Sequence, residues 1–183
     1  MAYRWTFKSR VKLSSSSNLA KLVQFYLWET PVPGTSKKGK TFKELGWEGA
    51  RFKTLLSEMG KESPFLNSKH WIKVPVGEIE ERLRVLGRLD GYDCSFEFAV
   101  HSAKDGLGKT EALFYLIRNG FAHGGFRVHT YNGTTYYAFE SNDRGKLKGR
   151  AVIKESTLLL WMKIVTRGYD KTIAARKNRT RAK

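Results

Sequence analysis

The chain is poor in cysteine, in acid and in long apolar runs. Cys94 is the only cysteine among 183 residues. One thiol excludes an intrachain disulfide and a Cys-based zinc site, and is ordinary for a reducing compartment. Asp and Glu total 17 against 34 Lys and Arg, a formal charge of +17. That excess repels other copies of the chain and attracts polyanions, of which nucleic acid is the commonest. No apolar run, Leu158 to Met162 included, is long enough to cross a bilayer. The first residues, MAYRWTFKSRVKLSSSS, mix charges into their apolar positions and lack the continuous apolar stretch of a signal peptide. A cytoplasmic protein that does not engage membranes is the expectation. With 40% apolar and 13% aromatic residues, the chain has enough to build a core.

Periodicity divides the chain coarsely. Ser17 or Asn18 can cap a helix to about Trp28, with Leu19, Leu22, Val23, Tyr26 and Leu27 on one face. A lysine-rich loop at about 30–41 interrupts it, carrying Lys37, Lys38 and Lys40. A second helix is expected from Phe42 to Met59 and a third from Gly77 to Leu89. The stretch from Pro64 to Pro75 is ambiguous, and Cys94 to Val100 reads equally as a short strand or a buried helix. Thr110 to Ala122 is helical and closed by Gly124 and Gly125. FRVHTYNGTTYYAFE then alternates around Asn132-Gly133, a tight hairpin signal. A third strand at Gly149 to Lys154 precedes a last helix, Glu155 to about Arg167. These readings give a mainly α fold: one helical domain over 1–169 with a small β insertion at about 126–153. A basic tail, 170–183, is expected to be disordered.

Arg118, Asn119 and His123 sit at the end of the Thr110 helix, with Asn119 and His123 one turn apart on one face. A histidine can move a proton at physiological pH, and an arginine can offer paired hydrogen bonds to phosphoryl oxygens. Asparagine can orient the imidazole or touch substrate. AKDGLGKT, residues 103–110, satisfies a permissive phosphate-binding-loop pattern with Lys109 and Thr110. No alternating strand-helix series follows it, so a flexible turn with Thr110 capping the next helix is the preferred reading. His70, His101 and His129 lack a carboxylate or cysteine at ligand spacing and read as surface or satisfied structural residues. No metal and no cofactor is expected. Arg127, Arg176, Lys177, Arg179 and Arg181, with the three loop lysines, are candidates to grip RNA backbone. Tyr136, Tyr137 and Phe139 are candidates to stack bases, although as alternating strand residues at least half must pack inward.

The string IRNGFAHGGF, with Arg118, a polar Asn119 and His123 before Gly124, resembles the Arg-x4-6-His signature of the HEPN superfamily. The likeness extends over Thr110 to Val165, through the YYAFE strand and KGRAVIKESTLLLWM. It implies an α-helical bundle that dimerises so that both copies of Arg118 and His123 meet in one cleft. It also implies metal-independent RNA cleavage by 2′-hydroxyl attack to a 2′,3′-cyclic phosphate, in a toxin or defence effector that an antitoxin could restrain. His123 would be the general acid/base, Arg118 the phosphate stabiliser and Asn119 their support. Gly120, costing about 1 kcal/mol relative to Ala inside a helix, would then mark a close approach at the dimer seam. A nucleic-acid-binding module that does not cleave, and a nucleotide-binding protein using Lys109, are the rival expectations.

Overall fold

A computed structural model of the chain describes residues 2–6, 17–35, 39–61, 63–102 and 106–181, the last without the side chains of 179–181. The fold is mixed α/β, and the expected mainly α bundle is wrong. A five-stranded sheet runs through the middle in the order β2-β4-β7-β6-β5. Its strands are β2 (Trp71–Val74), β4 (Phe98–Ser102), β5 (Phe126–Tyr131), β6 (Thr134–Asp143) and β7 (Lys146–Lys154). β2 lies parallel to β4, and the other pairs are antiparallel. A two-stranded ribbon joins β1 (Tyr3–Arg4) to β3 (Gly91–Tyr92). The supposed β insertion is therefore three strands of a sheet that the ambiguous segments 64–75 and 94–100 complete.

Strand alternation splits the core into two layers. Ala99, Tyr137, Phe139, Ala151 and Ile153 face a helical layer, while Phe98, Val100, Tyr136, Ala138 and Val152 face a smaller one. The helical layer contains α1 (Asn18–Val23), α2 (Arg51–Gly60), α4 (Lys109–Ala122) and α5 (Glu155–Arg167). The smaller layer holds α3 (Ile79–Val85) with Tyr92, Trp5 and Leu86. Tyr136, Tyr137 and Phe139, expected as base-stacking candidates, are all buried in these two layers. They are core residues.

Local chemistry accounts for the element boundaries. Ser17 Oγ accepts from Ala20 N at 3.1 Å and starts α1, which passes into a π-helical turn over Gln24–Trp28. The helix expected from Phe42 forms only from Arg51, because Gly46 and Gly49 take φ of +78° and +50° and break the first half into turns. The helix expected from Gly77 to Leu89 is shorter, covering Ile79–Val85 after a 3-10 turn. Asn132 and Gly133, both at positive φ, make the hairpin turn between β5 and β6 as expected. The tail expected without structure is helical over α6 (Tyr169–Arg181). Tyr169 anchors its start by donating N–H to Leu45 O and packing against Trp47 and the Arg51 guanidinium.

Gly120 does not wait for a second copy of the chain. A Cβ there would lie 2.7 Å from Phe139 Cδ1, so α4 uses the glycine to approach its own sheet. Gly120→Leu is therefore expected to overpack this contact at a cost of about 1–3 kcal/mol. In a thermal melt that is a fall in Tm of about 2–12 °C. An unchanged Tm would return Gly120 to the surface.

Candidate functional site

The sheet changes character along one line. Phe139, Ala151 and Ala99 stand side by side on β6, β7 and β4, facing the helices. Two residues further on, the next cross-strand row is Ser141, Gly149 and His101. Here the apolar core stops, and the glycine lets β4 approach β7 closely. A cleft of about 300 Å³ opens at this corner. α4 forms its wall with Ala112, Tyr115, Leu116, Arg118, Asn119 and His123, and Ser102, Asn142, Asp143 and Lys148 complete it. A register shift between Ser141 and Asn142 breaks the strand's alternation, and three consecutive residues line the cleft.

The three residues picked out as catalytic candidates are brought together here. Arg118 Nη1 donates to Asn119 Oδ1 at 3.0 Å, which fixes the guanidinium beside the amide. Arg118 Nε is buried with no hydrogen-bond partner among the described residues. His123 is the C-cap of α4, its N–H bonded to Asn119 O at 3.0 Å, and its side chain is exposed. Gly124 follows at φ +68° and turns the chain away. On the opposite side, Lys148 Nζ lies 3.8 Å from Asp143 Oδ2, a loose ion pair between β7 and β6.

His101 has a different character. Its Nε2 accepts from Trp71 Nε1 at 3.1 Å, and its Nδ1 lies 3.2 Å from Ser102 O. That pairing makes Nδ1 the protonated nitrogen. Burial, reinforced by the charges of Lys109 and Lys73, pushes the pKa down to about 4 against the opposing bond to Ser102 O. The imidazole is thus neutral with both nitrogens occupied, a structural group rather than a proton carrier.

Lys109 is committed elsewhere too. Its Nζ donates to Trp71 O at 2.8 Å and sits 3.9 Å from the centre of the Trp71 ring. Glu111 Oε2 takes the N–H of Gly108 at 2.7 Å, occupying a donor that a phosphate at the start of α4 would use. Thr110 is buried. The strand before this loop, β4, pairs parallel with the short β2 but antiparallel with β7, so it does not belong to the all-parallel sheet that such loops serve.

None of the other predicted RNA contacts among the described residues lines the cleft. Phe126 and Val128 pack on the helical layer, which leaves Arg127 on the opposite sheet face near Tyr92 and His129. Lys40, Arg176 and Lys177 are exposed, the last two on α6. Lys37 and Lys38 lie outside the described residues, as do the side chains of Arg179 and Arg181. Sequence reasoning missed Lys148, Ser141, Asn142 and Asp143. The one available signal was Gly149, because a glycine inside a strand marks a close backbone approach. A Cβ there would meet Val100 O at 2.8 Å.

His129 hydrogen-bonds Tyr92 Oη at 2.7 Å and stacks on Tyr3, and His70 stacks on Phe96. Both are structural. Among the described residues, no three His, Cys, Asp or Glu side chains gather to hold a metal ion, and no helix is long and apolar enough to cross a membrane. No protein-family model, curated protein or solved structure matches the chain.

Proposed function

We propose that this cleft binds and cleaves RNA without a metal, by attack of a ribose 2′-hydroxyl on the adjacent phosphate. The observation that carries the reading is the convergence of Arg118, Asn119, His123 and Lys148 on one cleft. Arg118 and Lys148 supply two cations for the phosphoryl oxygens, where negative charge grows in the transition state. The 2′-oxygen forms a bond to phosphorus as the bond to the 5′-oxygen breaks, giving a 2′,3′-cyclic phosphate and a 5′-hydroxyl. His123 takes the 2′-hydroxyl proton or supplies the one the departing oxygen needs, and water handles the other. His101 cannot take the second role, because both its nitrogens are engaged. The arrangement draws Arg and His from a single chain, so a second protomer is not required to bring them together. The net charge of +17 favours a polyanionic substrate.

The test is incubation of the full chain with RNA in excess chelator. Cleavage leaving cyclic phosphate ends is expected, and none on RNA whose cut-site ribose is 2′-deoxy. Cleavage that needs added divalent metal, or that proceeds on the deoxy substrate, would overturn the mechanism.

A second reading has one observation in its favour. The His123 ring makes no hydrogen bond among the described residues, whereas a catalytic base is commonly oriented by a third group. The cleft would then hold RNA without cutting it. Nucleotide hydrolysis through Lys109 is the weakest reading, since that ammonium is spent on Trp71. A toxin or defence role and an inhibitory partner stand on the sequence resemblance alone.

A further inference from the structure

The cleft is graded from bottom to mouth. His101, Ser141, Ala112 and Leu116, which line its bottom, are buried. None of them carries a charge, since the neutral His101 donates its one N–H to Ser102 O and accepts from Trp71 at Nε2. Arg118 and Lys148 are half-buried and Asp143 is exposed, so the charged groups, two cations and one carboxylate, stand at the mouth. Such a site penalises an anion at its bottom through desolvation and welcomes one at its rim. A simple phosphate would use only the rim. The matching ligand has a flat, neutral, polar end and an anionic group a few ångströms behind it.

We propose that the cleft seats one unpaired ribonucleotide of an RNA chain, with its base over Ser141 and His101 against α4 and its phosphate between Arg118 and Lys148. The proposal rests on the RNA reading above and names its substrate class. The volume, about 300 Å³, lies at the lower end of small-molecule sites and suits a single nucleotide unit. Ala112 and Leu116 give the base an apolar side, and Ser141 offers a hydroxyl to its edge. A base inside a duplex is stacked and paired, and would have to be pulled out to enter. Single strands, loops and bulges present such a base already.

Three ligand sets test this on the full chain by titration calorimetry. The first is the four ribonucleoside 3′-monophosphates, the second ribose 5-phosphate with inorganic phosphate, and the third a single-stranded RNA 12-mer beside its duplex. At least one nucleotide should bind tenfold or more tightly than ribose 5-phosphate, and the single strand tighter again. The duplex should bind at least tenfold more weakly than the strand. Ser141→Leu, which fills the bottom, should erase the nucleotide's advantage while leaving phosphate binding in place. Equal affinity for nucleotides and ribose 5-phosphate would overturn the base site, and this comparison needs no variant to fold. A single strand no tighter than a mononucleotide would overturn RNA as the source of the ligand. RNA cleavage that persists beside either failure would leave the phosphodiester reading standing. Base-dependent binding with no cleavage of any RNA would do the reverse.

Discussion

Replacing His123 with alanine is expected to slow RNA cleavage by about 10²–10⁴-fold, the usual contribution of a positioned proton carrier. His123 lies at the exposed C-terminus of α4, so the truncation removes no core contact. The change in stability should stay within about 0.5 kcal/mol. RNA affinity should barely change, because Arg118 and Lys148 still hold the phosphate. Arg118→Ala should behave differently. Losing a donor to developing charge costs about 10²–10³-fold in rate, and with it a ground-state contact, so both rate and affinity should fall. The split between the two variants is the informative readout. If His123→Ala cleaves like the parent, proton transfer lies elsewhere. If it loses affinity with no cleavage in either protein, the non-catalytic reading takes over.

The site was more legible in the sequence than the fold. Helical spacing puts Asn119 and His123 on one face, the HEPN-like signature singles them out with Arg118, and a helix end is positioned by the helix itself. The opposite side of the cleft comes from β6 and β7, and its residues meet only through cross-strand register. Lys148 sits within a run of basic residues, and nothing local distinguishes it from a solvated charge. The hairpin at Asn132-Gly133 was readable because both residues favour positive φ. The next turn places Arg144 at φ +49° before Gly145, an unusual residue there, and β6–β7 pairing was correspondingly hard to see.

The error over fold class has a related cause. β4 is buried on both faces, so FAVHS shows no alternation and could equally have been a helix segment. β2 has four residues and follows a 3-10 turn, too short for any periodicity. Their parallel pairing needs a crossover, here 75–97 with α3, and no local signal marks it. A helical reading of the same apolar stretches was self-consistent, and it carried the bundle implied by the HEPN resemblance with it. Only tertiary pairing decides between them. The dimer-seam reading of Gly120 failed for the same reason, since its neighbour Phe139 is distant in sequence and adjacent in the sheet.

The bottom of the cleft should also set the protein's acid tolerance. In the unfolded chain a histidine takes up a proton near pH 6.5, whereas folded His101 resists until about pH 4. Between those values the unfolded state binds more protons, so stability falls as pH drops through that window. At about 1.4 kcal/mol per pKa unit, the loss between pH 7 and pH 4 is about 3 kcal/mol. Burial and the nearby Arg127 also lower the pKa of His129, which adds to the loss. Burial raises the pKa of Glu97 despite its bonds to Lys154 and Thr157, and this opposes the trend. A comparison with His101→Gln isolates the His101 share, since the glutamine carbonyl can accept from Trp71 Nε1 but cannot take up a proton. Urea unfolding at pH 7, 5.5 and 4.5 should show the parent losing stability steeply and the variant much less. Parallel losses in parent and variant would mean that the buried imidazole is not what acid attacks.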